Sequence, residues 1–513
     1  MSCPRPWTLL VLALTLLVPA PAAAAPRTPP PDPVVAALER GAHPLRTAEP
    51  GGDTRDLEPL GRAVGDAVVV GAGEATHGSH DFLALKARVF RYLVERRGFR
   101  TFALETAWST GVRLDDYVVH GKGDPERIMR EDLQYTYALN PTAENLALVR
   151  WMREYNRRRP HDPVRFMGDD WGYTGPELYD RVTDWVARVR PRHAPRFEAL
   201  YRGLRPAVPS GAYQRAYLAR PLAERRAMAA RTGRALRLLR TLAPGGPAAH
   251  REFAEVLRHA TVIDQTATGY AFDFADPDQV AEAMRRRDED MADNVLWWQA
   301  HTGHRVLLSG HNNHIGYRPE DPQVLPRTQG AVLRDRLGSG YASVGLTFGQ
   351  GSFKATDPEE ERMLTHTVGP MPPGANEHTL DRVRHERWVL DLRIAPAPAR
   401  RWLAGARPTR SVGTAYPEPR NAFDIALGRC YDVLVHQDRV RAVDLLPALS
   451  GAHSGRPSRS GTTVPARAAV CRAVRAGSAG SRGVAPSSDR ANRPWSSCSP
   501  LRRTVASAGS RPP

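Results

Sequence analysis

Glu74, His77, His80 and Asp81 stand close together in the stretch GEATHGSHDF, residues 73–82. The stretch follows the apolar run AVVVGA and precedes a segment with helical periodicity, so it is predicted to be the turn between a buried strand and a helix. Turns of this kind usually carry Gly, Asn or Ser, which suit the backbone conformation. A cluster of titratable groups in this place indicates either a helix cap with additional charged side chains or the floor of an active site.

Two further strand ends carry the same types of side chain. Glu105 closes the apolar run FRTFALE, and His311 and His314 lie in SGHNNHIG at the end of the run RVLLSG. Ligands of α/β sheets bind beyond the carboxyl ends of the strands, so we expect these groups to share one cleft. Asp169 and Asp170 end another strand, in GDDWG, and are predicted to line the same cleft as substrate-binding residues.

These residue types suit the hydrolysis of an ester. A free imidazole has a pKa near neutrality, so a histidine such as His77 can take a proton from water, while a nearby carboxylate fixes its tautomer. A donor must also stabilise the oxyanion, which is typically worth about 3–4 kcal/mol, and His311, His314 or Lys86 could supply it. No Ser lies in a GxSxG elbow, which argues against an ordinary serine esterase.

Apolar, β-branched runs recur along the chain and alternate with amphipathic helical patterns, as expected for an α/β fold. We predict a mixed or parallel layered sheet with a helical insertion and a smaller α+β subdomain. The predicted boundaries are 35–175 and 301–350 for the two parts of the α/β domain, 176–300 for the insertion and 351–445 for the small subdomain. The predicted strands are 67–72, 99–105, 164–169, 305–310, 341–348, 388–393 and 430–436.

The two ends of the chain are predicted to lie outside this fold. Residues 1–25 have one basic residue, a short apolar core and a small-residue end, the pattern of a secretory signal peptide. The segment 451–513 is predicted to be a disordered basic tail, with eleven arginines against one acid, Asp489. Most of the formal net charge of +17 therefore belongs to the tail and does not indicate nucleic-acid binding. A secreted protein without a further membrane segment is expected.

The order of G-E-x-T-H-G, the F-A-L-E strand and the H-N-x-H loop resembles the erythromycin esterase family. RRRDEDMADN (285–294) and the late strand YDVLVH are similar to that family as well, and the resemblance covers about residues 35–445. It implies a metal-independent, cofactor-free hydrolase of small-molecule carboxylic esters or macrolide lactones.

The resemblance also implies roles for individual residues. His77 matches the general base, Glu74 and Glu105 match two active-site acids, and His311 and His314 match a histidine pair. Lys86 matches a substrate-binding position that is Arg in some members; Lys keeps the charge but lacks the bidentate fork of Arg.

Two alternatives stay open at this point. Glu74, His77, His311 and His314 would also suit zinc, which would then activate the water in place of His77. The chain could also be a secreted relative that binds a ligand without turnover. Activity in the presence of a chelator tests the first alternative, and comparison of wild type with His77→Ala tests the second.

Overall fold

The computed structural model describes residues 32–447. The predicted signal peptide (1–25) and basic tail (451–513) lie outside the described residues. None of the described helices combines the length and the apolar character that crossing a bilayer requires.

The strands fall mainly toward the two ends of the described segment, with a long helical stretch between them. They are β1 (His43–Pro44), β2 (Val69–Ala72), β3 (Phe99–Ala107), β4 (Arg165–Asp170), β5 (Arg305–Ser309), β6 (Tyr341–Asp357), β7 (Arg362–Val368), β8 (Arg387–Asp391), β9 (Arg407–Arg410), β10 (Ala422–Ile425) and β11 (Val433–Val440).

The main sheet has the order β1-β8-β11-β6-β2-β5-β3-β4, and β7 pairs with β6. The six strands from β11 to β4 are parallel, with registers such as Val70 against Leu307 and Phe102 against Phe166. β1, β7 and β8 are antiparallel to their neighbours, and β9 and β10 form a separate two-stranded sheet. The carboxyl ends of β2, β3, β4 and β5 therefore meet at one edge.

Helices cover both faces of this sheet. They are α1 (Pro33–Gly41), α2 (Glu58–Val64), α3 (His80–Arg97), α4 (Trp108–His120), α5 (Pro125–Asp132), α6 (Ala143–Arg158), α7 (Pro176–Val189), α8 (Ala194–Tyr201), α9 (Ser210–Leu218), α10 (Leu222–Arg240), α11 (Pro247–Gly269), α12 (Pro277–Thr302), α13 (Asn312–Ile315), α14 (Gln329–Leu337), α15 (Asn376–Leu380), α16 (Ala397–Leu403) and α17 (Leu427–Cys430).

Two apolar cores lie on opposite faces of the sheet because successive side chains of a strand point to opposite sides. Val70, Phe102 and Phe166 belong to the core under α3 and α6. Val69, Ala103 and Met167, their immediate neighbours in sequence, belong to the core that also holds the helices between β4 and β5. Strands buried on both faces explain why these segments read as continuous apolar runs.

The predicted α/β class is confirmed. Each of the seven predicted strands overlaps a strand of the structure, and the chain between β4 and β5 is helical from α7 to α12. Strands β8 and β11, which fall inside the predicted 351–445 subdomain, pair with the main sheet through β6, so this part of the chain extends that sheet. The exact domain boundaries remain a prediction.

Candidate active site

The turn after β2 is held tightly by backbone and side-chain contacts. A Cβ at Gly73 would collide with the Asn312 side chain, and one at Gly78 would collide with the backbone of Lys354. Ser79 then caps α3 by accepting a hydrogen bond from the N–H of Phe82 at 3.4 Å. The glycines and the cap explain the spacing of GEATHGSH, because they fix the backbone between Glu74 and His77.

Glu74 links His77 to Lys86. The Nδ1 atom of His77 lies 2.7 Å from Oε1 of Glu74, and Nζ of Lys86 donates to Oε2 of the same carboxylate at 2.5 Å. Glu74 and Lys86 are buried, whereas 15% of the His77 side chain is exposed. Within the described part of the chain, Nε2 of His77 makes no hydrogen bond.

The Glu74–Lys86 pair is an ion pair in a low-dielectric environment. Burial alone would raise the pKa of the Glu74 carboxyl, but the Lys86 ammonium and the His77 imidazole hold that pKa below its usual value. Burial lowers the pKa of Lys86, and Glu74 offsets part of this effect. An ionised Glu74 can therefore stabilise a positive charge that develops on His77.

Lys86 lies behind Glu74 rather than beside the space that His77 faces. Its ammonium donates to Glu74, to Oγ of Ser309 at 3.1 Å and to the carbonyl of Gly310 at 3.3 Å. An ammonium has three N–H donors, and all three are used by these acceptors. Lys86, predicted to bind substrate, is thus placed to orient Glu74 and has no donor left for a ligand in this structure.

Glu105 joins β3 to the loop after β5. Its Oε2 accepts a hydrogen bond from the backbone N–H of His311 at 2.8 Å. Burial opposes ionisation of this carboxyl, yet His314, His77 and Arg287 hold its pKa well below the ordinary value. The rings of His77 and His311 are 5.1 Å apart between centroids. The predicted groups from three strand ends thus meet in one cluster.

His311 is a neutral imidazole with an unused donor. Burial lowers its pKa to about 3, with a further contribution from the neighbouring His77. Its Nδ1 accepts a hydrogen bond from the N–H of Asn313 at 3.2 Å, so the ring proton lies on Nε2. That Nε2 atom is buried and has no hydrogen-bond partner in the structure. An unpaired buried donor is costly unless a ligand satisfies it.

Two carboxylates favour the protonated form of His314. Burial would lower its pKa, but Asp288 and Glu105 raise it to about 9. The Nδ1 atom of His314 lies 2.8 Å from Oδ1 of Asp288, and Asp288 also accepts the N–H of Gln329 at 2.7 Å. Sequence reasoning did not single out Asp288, although it lies within RRRDEDMADN.

Arg287, from the same helix, is the second residue that sequence reasoning missed. It donates to Asp170 at 2.6 Å and to Glu105 at 3.0 Å, and its Nη1 lies 3.2 Å from Nε2 of His314. Arg287 and Asp288 come from α12, so the helical insertion completes the cluster built on the strand ends. No local pattern in the sequence distinguishes this pair from the other charged residues of RRRDEDMADN.

Asp169 and Asp170 have different environments at the end of β4. Asp170 pairs with Arg287 and accepts the N–H of Trp171 at 2.7 Å. Asp169 is fully buried, and burial together with the charge of Asp170 raises its pKa well above the ordinary value. Its Oδ2 accepts from the Gln329 side chain at 2.8 Å. Asp170 therefore contacts the cluster directly, and Asp169 lies behind it.

A separate cavity of about 450 Å³ lies beside α4 and α12, but it does not reach this cluster. It is lined by Trp108, His259 and Trp298, and its Arg165 pairs with Asp115 at 2.6 Å. Its charged walls are thus engaged in an ion pair. The cluster around His77 carries the better arrangement for acid–base chemistry.

The predicted zinc alternative requires the histidines and Glu74 to point at one centre. Both oxygens of Glu74 are taken by His77 and Lys86, and the two ring nitrogens of His314 lie against Asp288 and Arg287. In the described residues, the group whose three ligand atoms all lie within 4.8 Å of one another is found elsewhere, at Asp381, His436 and Asp438. The donor set around His77 therefore does not fit a metal ion in this arrangement.

Comparison with known proteins agrees with the fold. The model of the erythromycin esterase family matches residues 94–440. The chain belongs to the erythromycin esterase family. Erythromycin esterase type II of Escherichia coli is 24% identical over 334 residues, which cover 62% of this chain and 77% of the relative.

Three solved structures superimpose over most of the chain. A Bacillus cereus protein has a TM-score of 0.73 and 27% identity, and it covers 81% of this chain and 98% of its own. A succinoglycan biosynthesis protein gives 0.71 and 27%, covering 80% and 98%. A mutant of the erythromycin esterase EreC in its open conformation gives 0.59 at 16% identity, covering 77% and 96%, and shares the fold. The family and the names of its relatives indicate a hydrolase of erythromycin esterase type.

Proposed function

We propose that this chain hydrolyses a carboxylic ester or a lactone of a small molecule with water that His77 activates, without a metal ion. The observation that carries the proposal is the facing pair of imidazoles. His77 is bonded to Glu74 through Nδ1, which leaves Nε2 basic, and His311 presents an unpaired Nε2–H beside it. One ring can take a proton, and the other can donate a hydrogen bond.

The reaction would proceed in two steps. Nε2 of His77 takes a proton from water as the water oxygen attacks the ester carbonyl, and the ionised Glu74 stabilises the imidazolium that forms. The oxyanion receives a hydrogen bond from Nε2–H of His311. The same imidazolium then gives its proton to the leaving alkoxide as the carbon–oxygen bond breaks, so an acid and an alcohol leave.

The cations around Glu105 support the same chemistry. His314 and Arg287 both lie against Glu105. The Arg287 guanidinium is charged before the reaction begins, and two carboxylates favour the imidazolium of His314. Preorganised charge near a developing oxyanion lowers the barrier without reorganisation. Glu105 in turn holds the backbone of His311. We assign Glu105 the role of positioning this loop.

We further propose that the chain is exported and acts on esters outside the cell. The pattern of residues 1–25 supports export, and the similarity to erythromycin esterase type II supports macrolide lactones as one substrate class to test. Amino-terminal sequencing of the protein from culture supernatant tests export. A uniform amino terminus near residue 26 is expected, and retention of Met1 in a cell-associated protein would contradict it.

The decisive test of turnover is a mass-spectrometric screen of macrolactones and simple esters for the addition of one water. Wild type and His77→Ala are compared on each substrate. Water addition by wild type alone supports the proposal. Equal, near-background rates for both proteins on every ester would favour a ligand-binding relative.

A further inference from the structure

A second cluster of ligand-type side chains lies on the sheet, separate from His77. His436 and Asp438 are two residues apart on β11, so the pleat places both on the same face of the strand. Asp381, just after α15, reaches this face. Strand β6 separates β11 from β2 and the turn that carries His77.

The three side chains bring one ligand atom each to a common point. Nε2 of His436 lies 2.8 Å from Oδ1 of Asp381 and 3.8 Å from Oδ1 of Asp438. Zn–N and Zn–O bonds of about 2.0–2.2 Å in a tetrahedral site place ligand atoms about 3.3 Å apart, between these two distances. Small side-chain rotations would therefore bring all three atoms to one ion.

The surroundings of the cluster favour an ion over a simple ion pair. Oδ1 of Asp438 is buried and has no hydrogen-bond partner in the structure, so the His436–Asp381 contact leaves one oxygen unsatisfied. Nδ1 of His436, which is fully buried, lies 2.9 Å from Oγ1 of Thr347. A bond of this kind from the second ring nitrogen orients a metal-ligating histidine and leaves Nε2 for the metal.

The backbone also makes room for the acid. A Cβ at Gly349 would collide with the carboxylate of Asp381. The lack of a side chain at this position lets Asp381 approach strand β6 next to Thr347. The site is thus assembled from β6, β11 and the end of α15.

We propose that Asp381, His436 and Asp438 bind a divalent first-row transition-metal ion such as Zn²⁺. One imidazole and two carboxylates suit such ions, whereas Ca²⁺ takes six to eight oxygen ligands. The ion would join α15 to the β6–β11 pair, on the other side of β6 from the hydrolytic cluster. The site is therefore structural and distinct from the chemistry at His77.

The test is metal binding by the purified chain after dialysis against a chelator. Titration with Zn²⁺ followed by calorimetry, and with Co²⁺ followed by its visible spectrum, is expected to show one equivalent bound by wild type and by His77→Ala. Asp438→Asn removes a ligand from a partly exposed position, and Thr347→Val removes the orienting hydroxyl. Each is expected to weaken Zn²⁺ binding by at least about tenfold.

The control is Asp424→Asn, which removes an exposed carboxylate on β10 and should bind Zn²⁺ like wild type. Circular dichroism of the metal-free proteins checks that each variant is folded. The proposal is overturned if wild type binds neither Zn²⁺ nor Co²⁺, or binds only Ca²⁺. It is also overturned if the His77→Ala variant does not bind Zn²⁺. Unchanged affinity in Asp438→Asn overturns it as well and leaves the cluster as a hydrogen-bonded ion pair.

Discussion

Nδ1 of His77 and Oε1 of Glu74 are 2.7 Å apart, and the far ring nitrogen of His77 has no hydrogen-bond partner among residues 32–447. The other oxygen of Glu74 is held by a buried ammonium, that of Lys86. This arrangement fixes the tautomer of the imidazole and keeps its companion ionised. The charged turn after β2 therefore holds a base and its carboxylate partner in addition to capping a helix.

Removing either member of this pair should abolish most of the activity. His77→Ala and Glu74→Gln are expected to lower kcat for a hydrolysed ester by about 10²–10⁴-fold, because the base or its charged companion is lost. Steady-state kinetics on the best substrate of the ester screen measures the effect.

The matched control is His80→Gln, in the same GEATHGSH stretch. His80 bonds to Glu49 and Glu144, away from the cluster, so its loss should leave kcat nearly unchanged. If His80→Gln lowered kcat as much as His77→Ala does, the assignment of His77 as the general base would be wrong.

The charge of Lys86 should matter for stability as well as for turnover. Lys86→Met leaves Glu74 charged and buried without its cation, which typically costs about 3–5 kcal/mol in the free energy of unfolding. Denaturant titration measures this cost. Lys122→Met, at an exposed position on the same chain, is the control and should unfold like wild type. Equal midpoints for the two variants would show that the buried ion pair is not needed.

The protonation of His314 predicts an alkaline limit. Its folded-state pKa of about 9 is raised above the ordinary 6.5, so the stability that its charge contributes is complete below about pH 6.5 and is lost as the pH rises through about 9. We expect kcat/KM to fall over the same alkaline range. The His314→Gln variant should have a lower maximal kcat/KM, and its kcat/KM should not fall over this alkaline range. An unchanged alkaline fall in this variant would show that His314 does not cause it.

Asp288 should set the position of that limb. Asp288→Asn removes the charge that contributes most to raising the pKa of His314, so the alkaline limb of kcat/KM is expected to move to lower pH. The pH profile measures the shift directly. Asp293→Asn, on the same helix, is the control and should keep the wild-type profile. A lower plateau without a shift of the limb would mean that Asp288 only shapes the loop.

Chelation separates the water-activating histidine from the zinc alternative. We expect the chelator-treated enzyme to keep its kcat/KM, because both oxygens of Glu74 and both ring nitrogens of His314 are already taken by other side chains. Activity is measured before and after dialysis, with the metal content followed in the same samples. Loss of activity that Zn²⁺ restores would favour the metal-dependent mechanism.

The sequence was most informative where strands are buried on both faces. Runs such as RVLLSG are apolar throughout and were predicted as strands for that reason. β7 escaped prediction because it is an edge strand with exposed polar residues, RMLTHTV, and β1 because it has only two residues. Pairing with a neighbour, rather than a local pattern, makes these segments strands.

The cluster itself could be predicted in part. Parallel strands end at one edge, so Glu74, Glu105 and His311 were expected to meet, and the structure brings them together. Arg287 and Asp288 could not be placed in the same way. Their position depends on how α12 packs across the sheet, and their charges resemble those of any solvated helix.

Helix α12 carries Arg287 and Asp288 and then leads directly into β5, whose end holds His311 and His314. A swing of the helical insertion away from the sheet would pull the guanidinium from Glu105 and the carboxylate from His314 in a single movement. The same movement that admits a large substrate would then separate Arg287 from Glu105 and Asp288 from His314. In such an enzyme the catalytic cluster would be complete only when the helical insertion is closed over the sheet.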